Sequence, residues 1–367
     1  MKVLHVINSL NVGGAERLIA FLLPVFKQYN GIQVDLLVIN EGEEILYREL
    51  EREGISISVL TSRGLYNPLN IISMRHYFLK DYDIIHAHLF PTQYIASIAK
   101  LTSKTKTKLV FTEHSTSNRR IASPIFSFID KPMYRLLDHL VCITEEVEEL
   151  YKNYVPSIKS RISIIPNGIP INQVKEATPH SRNDFKLNSS DVLLLQVAGF
   201  RDAKDQDTVI KALTYLPENF KVLFVGDGLR KRSCEKLAKG IGVENRTIFL
   251  GVRKDVYNIQ KMVDYIILST HYEGLSLACI EGMASGKPFL ASNVQGVQQL
   301  VSGAGILFEE SNPKDLAQKV LTLDQDKALK KETIENCIRR SEEYTIEKMA
   351  QRHLELYKKI LESDENI

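Results

Sequence analysis

No stretch of the 367 residues approaches the roughly 20 consecutive apolar residues that a membrane-spanning helix needs; the nearest, Leu18 to Phe26, is short and carries Pro24. A spanning segment is therefore not expected. Only Val3 to Ile7 separates Lys2 from Asn8, too little for the hydrophobic region of a secretory leader, so the expected location is cytoplasmic with room for peripheral contact at the inner face of a membrane. Cysteine is scarce. The four present, Cys142, Cys234, Cys279 and Cys337, are scattered with no C-x-x-C pair and no histidines at zinc spacing, which leaves them as small buried residues. An excess of one charge is missing as well: the formal net charge of +2 gives no basis for binding nucleic acid. No short repeat or low-complexity tract occurs, and neither a G-x-G-x-x-G dinucleotide fingerprint nor a P-loop is found.

What is present is a composition of 44% apolar and 25% charged residues, long enough for two domains with separate cores. Short aliphatic runs alternate with longer helical segments, the pattern of an α/β protein with mainly parallel sheets. Strands are expected at 3–7, 34–39, 57–60, 84–88, 109–112, 139–143 and 162–165, and the series then restarts at 192–197, 221–225, 247–250, 265–268, 289–291 and 305–307. The polar stretch Asn172 to Asp191 reads as an irregular connector. This places a first doubly wound, Rossmann-like domain over residues 1–170 and a second over 171–345, followed by a helix at about 346–367. Two such domains in tandem would face each other across a cleft, and ligands lie beyond the carboxyl ends of such strands.

Candidate site residues fall at those ends. Glu273 and Glu281 frame Glu-Gly-Leu-Ser-Leu-Ala-Cys-Ile-Glu, where Leu275, Ser276 and Leu277 would offer amides at a helix start suited to phosphate. If residues 273 to 281 were all helical, the carboxylates would stand roughly 12 Å apart, too far for the acid and base of a glycosidase. A nucleotide-sugar fits that gap better, one carboxylate meeting the sugar and the other the ribose, with the diphosphate between. Arg201 and Lys204 follow the first strand of the second domain and could neutralise a departing diphosphate. Gly226 lies in a glycine turn, and Arg253 in a loop near where a base could stack. In the first domain Gly13 and Gly14 open a helix and allow close approach of a ligand. His86, His88 and His114 stand at strand ends as hydrogen-bonding residues; no carboxylate or cysteine set of metal spacing accompanies them, so no metal is assigned. Asp81-Tyr-Asp83 precedes its strand and reads as a solvated turn.

Together these residues resemble the retaining glycosyltransferases of family four, which have the two-domain GT-B fold. The likeness runs from Gly13-Gly14-Ala-Glu-Arg through Asp83-Ile-Ile-His-Ala-His, Ile165-Pro-Asn-Gly-Ile and Lys204-Asp-Gln to Glu273-Gly-Leu-Ser-Leu-Ala-Cys-Ile-Glu281-Gly-Met-Ala-Ser-Gly-Lys-Pro. The resemblance implies Glu281 on the ribose, Glu273 beside the donor sugar, Lys204 with an arginine on the diphosphate, and His114 on the transferred sugar. The usual Gly-Arg or Ala-Arg is replaced here by Ala198-Gly199, and Arg201 is the arginine chosen. It also implies a C-terminal helix crossing back to the first domain, a UDP- or GDP-sugar donor, retention of configuration, and no metal or other cofactor. The acceptor would be a glycan, in particular a lipid-linked one, used in polysaccharide or glycolipid assembly. The segment from Ser117 through Arg119, Arg120 and Lys131 to Arg135 mixes cations with bulky apolar groups and would suit an anionic membrane. Rival readings are a sugar-nucleotide epimerase or a phosphorylase on the same plan, and a non-catalytic nucleotide-sugar sensor.

Overall fold

The computed structural model describes residues 1–11, 13–61, 63–114, 121 and 123–363, with the backbone alone at Pro124 and Ile125. Arg119 and Arg120 lie outside the described residues. The chain divides into two compact units, Met1–Gly168 with Ile346–Ile367, and Ile169–Thr345.

The first unit is built on seven parallel strands: β1 (Lys2–Ile7), β2 (Gln33–Val38), β3 (Ser56–Val59), β4 (Ile84–His88), β5 (Lys108–Glu113), β6 (His139–Cys142) and β7 (Ile162–Ile164). Their order is β3-β2-β1-β4-β5-β6-β7. The order reverses between β1 and β4, which pair in parallel from Val3 opposite Ile84 to Val6 opposite Ala87. Central strands covered on both faces must be apolar throughout, and β1, Lys-Val-Leu-His-Val-Ile, is buried from its second residue on. His5 is the one polar side chain in that run, and it is fully buried. Edge strand β3 is only part-buried, and its serines 56 and 58 are tolerated.

Two helices cover the face above His5. The helix Gly14–Lys27 buries Leu18, Ile19, Leu22, Leu23 and Phe26 at helical spacing. The helix Ile346–Glu362 buries Ile346, Met349, Ala350, His353, Leu354, Leu356, Tyr357 and Ile360, and its His353 and Tyr357 rings pack on Phe26. The C-terminal helix is thus part of the first unit.

The second unit repeats the plan with β8 (Val192–Val197), β9 (Phe220–Val225), β10 (Thr247–Gly251), β11 (Tyr265–Leu268), β12 (Phe289–Ser292) and β13 (Ile306–Phe308), in the order β10-β9-β8-β11-β12-β13. All pairings are parallel, and here the order reverses between β8 and β11. The core under this sheet gathers Leu194, Phe224, Tyr265, Ile267, Leu290 and Leu316. Residues 172–191 are not wholly irregular: most of the short helix Ile171–Glu176 and a 3-10 turn Arg182–Phe185 fall within them. Arg182 anchors the stretch to the sheet by a two-pronged hydrogen bond to the carboxylate of Asp264, at 3.0 and 2.9 Å.

Candidate active site

The loops after β8 and β11 meet at the point where the strand order of the second unit reverses. Gln196, buried within β8, donates its amide to the Ser269 carbonyl at 2.9 Å, and the amide of Asp205 donates to the same carbonyl at 3.1 Å. Asp205 also caps the helix Gln206–Ala212 through its side chain, which accepts from the Thr208 amide at 3.2 Å. Thr270 donates its hydroxyl to the Ala203 carbonyl at 2.7 Å, and Lys204 forms a one-residue antiparallel bridge with Thr270. The outcome is a rigid platform from which Lys204 projects to ion-pair with Glu273, both side chains largely buried.

Arg230 completes this corner, a residue to which the sequence alone gives no role. It donates to the Lys204 carbonyl at 3.1 Å and to the Asp207 carboxylate at 2.7 Å. Its only sequence signal is its place just beyond the glycine turn 226–228. That turn packs on the Lys204 loop: Phe200 donates its amide to the Asp227 carbonyl at 3.0 Å, and Gly226 has φ +137° with any Cβ falling 2.2 Å from the Ala198 carbonyl oxygen. The requirement for glycine at 226 is therefore a close approach of backbone to backbone. Arg201 stands exposed on the same loop and makes no ion pair among the described residues.

The helix start expected at Leu275 to Leu277 falls at Leu277, with Ser276 as its cap residue in extended conformation. Leu275 and Ser276 precede the helix, and the all-helical spacing between the two carboxylates does not apply. The reason lies further along the chain: Gly296, at φ +81°, presses its bare Cα face on the Glu273 carbonyl, where a Cβ would lie 2.2 Å away. Residues 273–276 are held as a loop against it. Glu281, 1% exposed, lies on the helix Leu277–Ala284 and accepts from the Tyr257 hydroxyl at 3.0 Å. Arg253 is engaged by Asp255, which also accepts from His180 at 2.7 Å; the Arg253 hydrogen bonds, then that from His180, draw the Asp255 carboxyl down to about 2.

In the first unit Gly13 is the extended cap residue of the helix Gly14–Lys27, and a Cβ on it would meet the Glu16 carboxylate at 2.3 Å. Around Gly14 the corresponding space is open. The histidines form a connected network. His5 Nδ1 and His88 Nε2 lie 3.0 Å apart, and His88 Nδ1 and His114 Nε2 lie 3.1 Å apart. His86 uses both nitrogens locally, with Tyr357 at 2.5 Å and Thr112 at 2.7 Å. Burial above all, then neighbouring histidines, pushes these rings toward the neutral form: His5 to about 3, His114 to about 4, His86 and His88 well below the usual range. Among the described residues His5, His86 and His88 are the group that could hold a metal ion, with ligand atoms within 4.8 Å of one another. In the arrangement seen here their nitrogens bond to one another, to His114 or to hydroxyls, except for Nε2 of His5. The parts played by His5 and by the C-terminal pair His353 and Tyr357 are invisible in the sequence, since nothing local joins residues so far apart.

Comparison with known proteins agrees with both halves. The family model for Glycosyltransferase Family 4 matches residues 12–173, and that for Glycosyl transferases group 1 matches residues 178–340. Among curated relatives, the chain is 24% identical to N-acetyl-alpha-D-glucosaminyl L-malate synthase of Bacillus anthracis, over 77% of this chain and 76% of that one. It is also 24% identical to the UDP-Gal:alpha-D-GlcNAc-diphosphoundecaprenol alpha-1,3-galactosyltransferase of Escherichia coli, over 71% of each chain. Among solved structures, HepE of Anabaena in complex with UDP superposes with a TM-score of 0.84 at 19% identity, covering 98% of this chain and all of that one.

Proposed function

Because this chain belongs to the group 1 glycosyltransferases, in family four with the GT-B fold, we propose that it moves a sugar from a nucleotide diphosphate sugar to a lipid-linked glycan with retention of configuration. The observation that carries this reading is the Lys204–Glu273 pair at the strand-order reversal of the second unit, with buried Glu281 on the helix that follows. Parallel sheets of this kind receive ligands at that point. Lys204, with Arg201 from the same loop, meets the diphosphate together with the first amides of the helix Leu277–Ala284. Glu281 accepts from the ribose hydroxyls, and Glu273 accepts from hydroxyls of the donor sugar.

In the reaction the bond between the anomeric carbon and the diphosphate breaks as an oxocarbenium-like centre forms. Charge grows on the leaving oxygen, and Lys204 and Arg201 stabilise it there. The acceptor hydroxyl attacks from the same face, its proton passing to the departing phosphate oxygen. These cations fill the electrostatic role that a divalent ion takes elsewhere, so no metal is required in this scheme. His114 of the first unit contacts the transferred sugar. UDP-sugars are the first donors to try, since the Escherichia coli relative is named for UDP-Gal and HepE is seen with UDP; hexoses and N-acetylhexosamines both belong in the screen, as do GDP-sugars. The lipid-linked acceptor follows the relatives named for diphosphoundecaprenol substrates.

Thermal shift across nucleotide-sugars, followed by product analysis with the stabilising donor, tests the reading. A donor bound by the folded chain raises its melting temperature by mass action. An inverted anomeric product, or a sugar trapped covalently on Glu273, contradicts the same-face displacement. Conversion of the donor with no acceptor present indicates an epimerase instead.

A further inference from the structure

The buried histidines of the first unit form a directional chain. Each neutral imidazole carries one N–H and one lone pair, so in a line of rings bonded nitrogen to nitrogen the choice at one end fixes the choice at every other. The line is His5 Nδ1 to His88 Nε2 at 3.0 Å and His88 Nδ1 to His114 Nε2 at 3.1 Å. His86 stays outside it, since Thr112 and Tyr357 occupy its two nitrogens.

Two polarities are open to the line. In one, His5 Nδ1–H donates to His88, His88 Nδ1–H donates to His114, and His114 is left with a proton on Nδ1. In the other every proton is reversed, and His114 Nδ1 carries a lone pair. The far end discriminates between them. Nε2 of His5 is buried and has no hydrogen-bond partner among the described residues. The first polarity leaves a lone pair there; the second leaves an orphan N–H, and buried unpaired N–H groups are the rarer defect. His353, packed in the same cluster, obeys the same rule: its Nδ1 donates to the Met349 carbonyl at 2.9 Å, so its own buried, unpartnered Nε2 is a lone pair.

Resting on the transferase reading only for the identity of the ligand, we propose that His5 and His88 are positioning residues that hold His114 as its Nδ1–H tautomer, making it a hydrogen-bond donor to a sugar or phosphate oxygen and not a base. Lowered proton affinity along the line, caused chiefly by burial, keeps every ring neutral so that the relay persists at working pH. His114 is part-buried, and among the described residues its Nδ1 takes no partner. A donor there suits a mechanism in which the leaving phosphate, not the protein, takes up the acceptor's proton.

The test is long-range 15N–1H correlation on the full chain labelled in histidine, with the His114 signals identified by their absence in His114→Gln. The relay predicts Nδ1–H and bare Nε2 at His114. His5→Met puts a thioether, which can only accept, in place of the donor and should turn His88 round, shifting His114 toward the Nε2–H form, whereas His5→Asn, whose amide nitrogen replaces Nδ1 as donor, should restore the original tautomer. A wild-type His114 protonated at Nε2 overturns the proposal, as does a folded His5→Met with an unchanged tautomer. If His5→Met fails to fold, the wild-type spectrum still decides the matter. The spectra are read with no donor or acceptor present, so the tautomer they show does not depend on whether the chain transfers sugar.

Discussion

Lys204 and Glu273 are joined across the two loops that leave β8 and β11, and the pair sits where the strand order of its sheet reverses. Each is held by its own backbone. The antiparallel bridge to Thr270 fixes Lys204, and Gly296 fixes the Glu273 carbonyl. On the proposed reading, an ion pair so preorganised would cost little rearrangement when a diphosphate enters, since the ammonium is already held in place. Lys204→Ala should therefore reduce kcat by about 10²–10³-fold, the usual loss on deleting one such stabilising group. Steady-state release of nucleotide from a donor measures it; a loss below about tenfold removes Lys204 from the leaving-group role.

Glu281→Gln should act on binding instead. Its carboxylate is buried on the helix Leu277–Ala284 and already accepts from Tyr257, so the amide replacement keeps the shape and removes the charge-assisted bonds to a ribose. Hydrogen bonds to charged groups contribute about 1.5–3 kcal/mol, which corresponds to roughly ten- to a hundredfold weaker binding of a nucleoside diphosphate. Calorimetry checks this, and an unchanged Kd assigns the carboxylate to structure alone.

Much of this is legible in the sequence. Fully buried strands advertise themselves as aliphatic runs, so β4, β8 and β11 are found at the positions that the runs at 84–88, 192–197 and 265–268 predict. Less visible is anything that depends on a partner distant in the chain. Arg230 reaches Lys204 through a turn whose glycine is demanded by Ala198, and His5 looks like an interruption of an apolar strand until His88 is seen beside it. What holds the loop 273–276 is hidden for the same reason, since Gly296 lies well downstream of the loop it shapes.

Gly226→Ala tests whether that turn is structural. An alanine there would have to hold φ +137° with its Cβ 2.2 Å from the Ala198 oxygen, so the loop carrying Arg201 and Lys204 must move. A cost of about 2–4 kcal/mol is expected from backbone strain and displacement together. Chemical denaturation reads it directly; a change under about 0.5 kcal/mol, typical of a neutral surface substitution, refutes the packing argument.

The histidine cluster should make the first unit sensitive to acid. His5 and His353 are held at about 3 and about 4 by burial, against 6.5 for the free side chain. Their pKa values are lower in the folded state, so between pH 6.5 and about 4 the unfolded chain binds more protons. Stability is therefore complete above pH 6.5 and falls as the pH drops through that window, by about 1.4 kcal/mol per pH unit for each such histidine. His353→Leu should flatten the slope of unfolding free energy against pH by about one proton. An unchanged slope shows that His353 does not titrate on unfolding.

Membrane contact is the remaining proposal, and the helix Pro124–Arg135 gives it a surface. Asp130 and Tyr134 are buried on one side of this helix and Phe128, 84% exposed, lies on the opposite side; Phe126 and Ile129 are exposed as well. Three exposed bulky apolar side chains, with Lys131 and Arg135 on the same helix, fit the interface of an anionic bilayer, where apolar rings enter the acyl boundary and cations meet the headgroups. No helix among the described residues is long and apolar enough to cross a membrane, so any attachment through this helix is peripheral. The chain should float with vesicles containing anionic lipid and much less with neutral ones, and Phe126→Ser with Phe128→Ser should abolish flotation without lowering the melting temperature. Equal recovery with neutral vesicles removes the electrostatic part of the argument, and failure of the wild-type chain to float removes the whole of it.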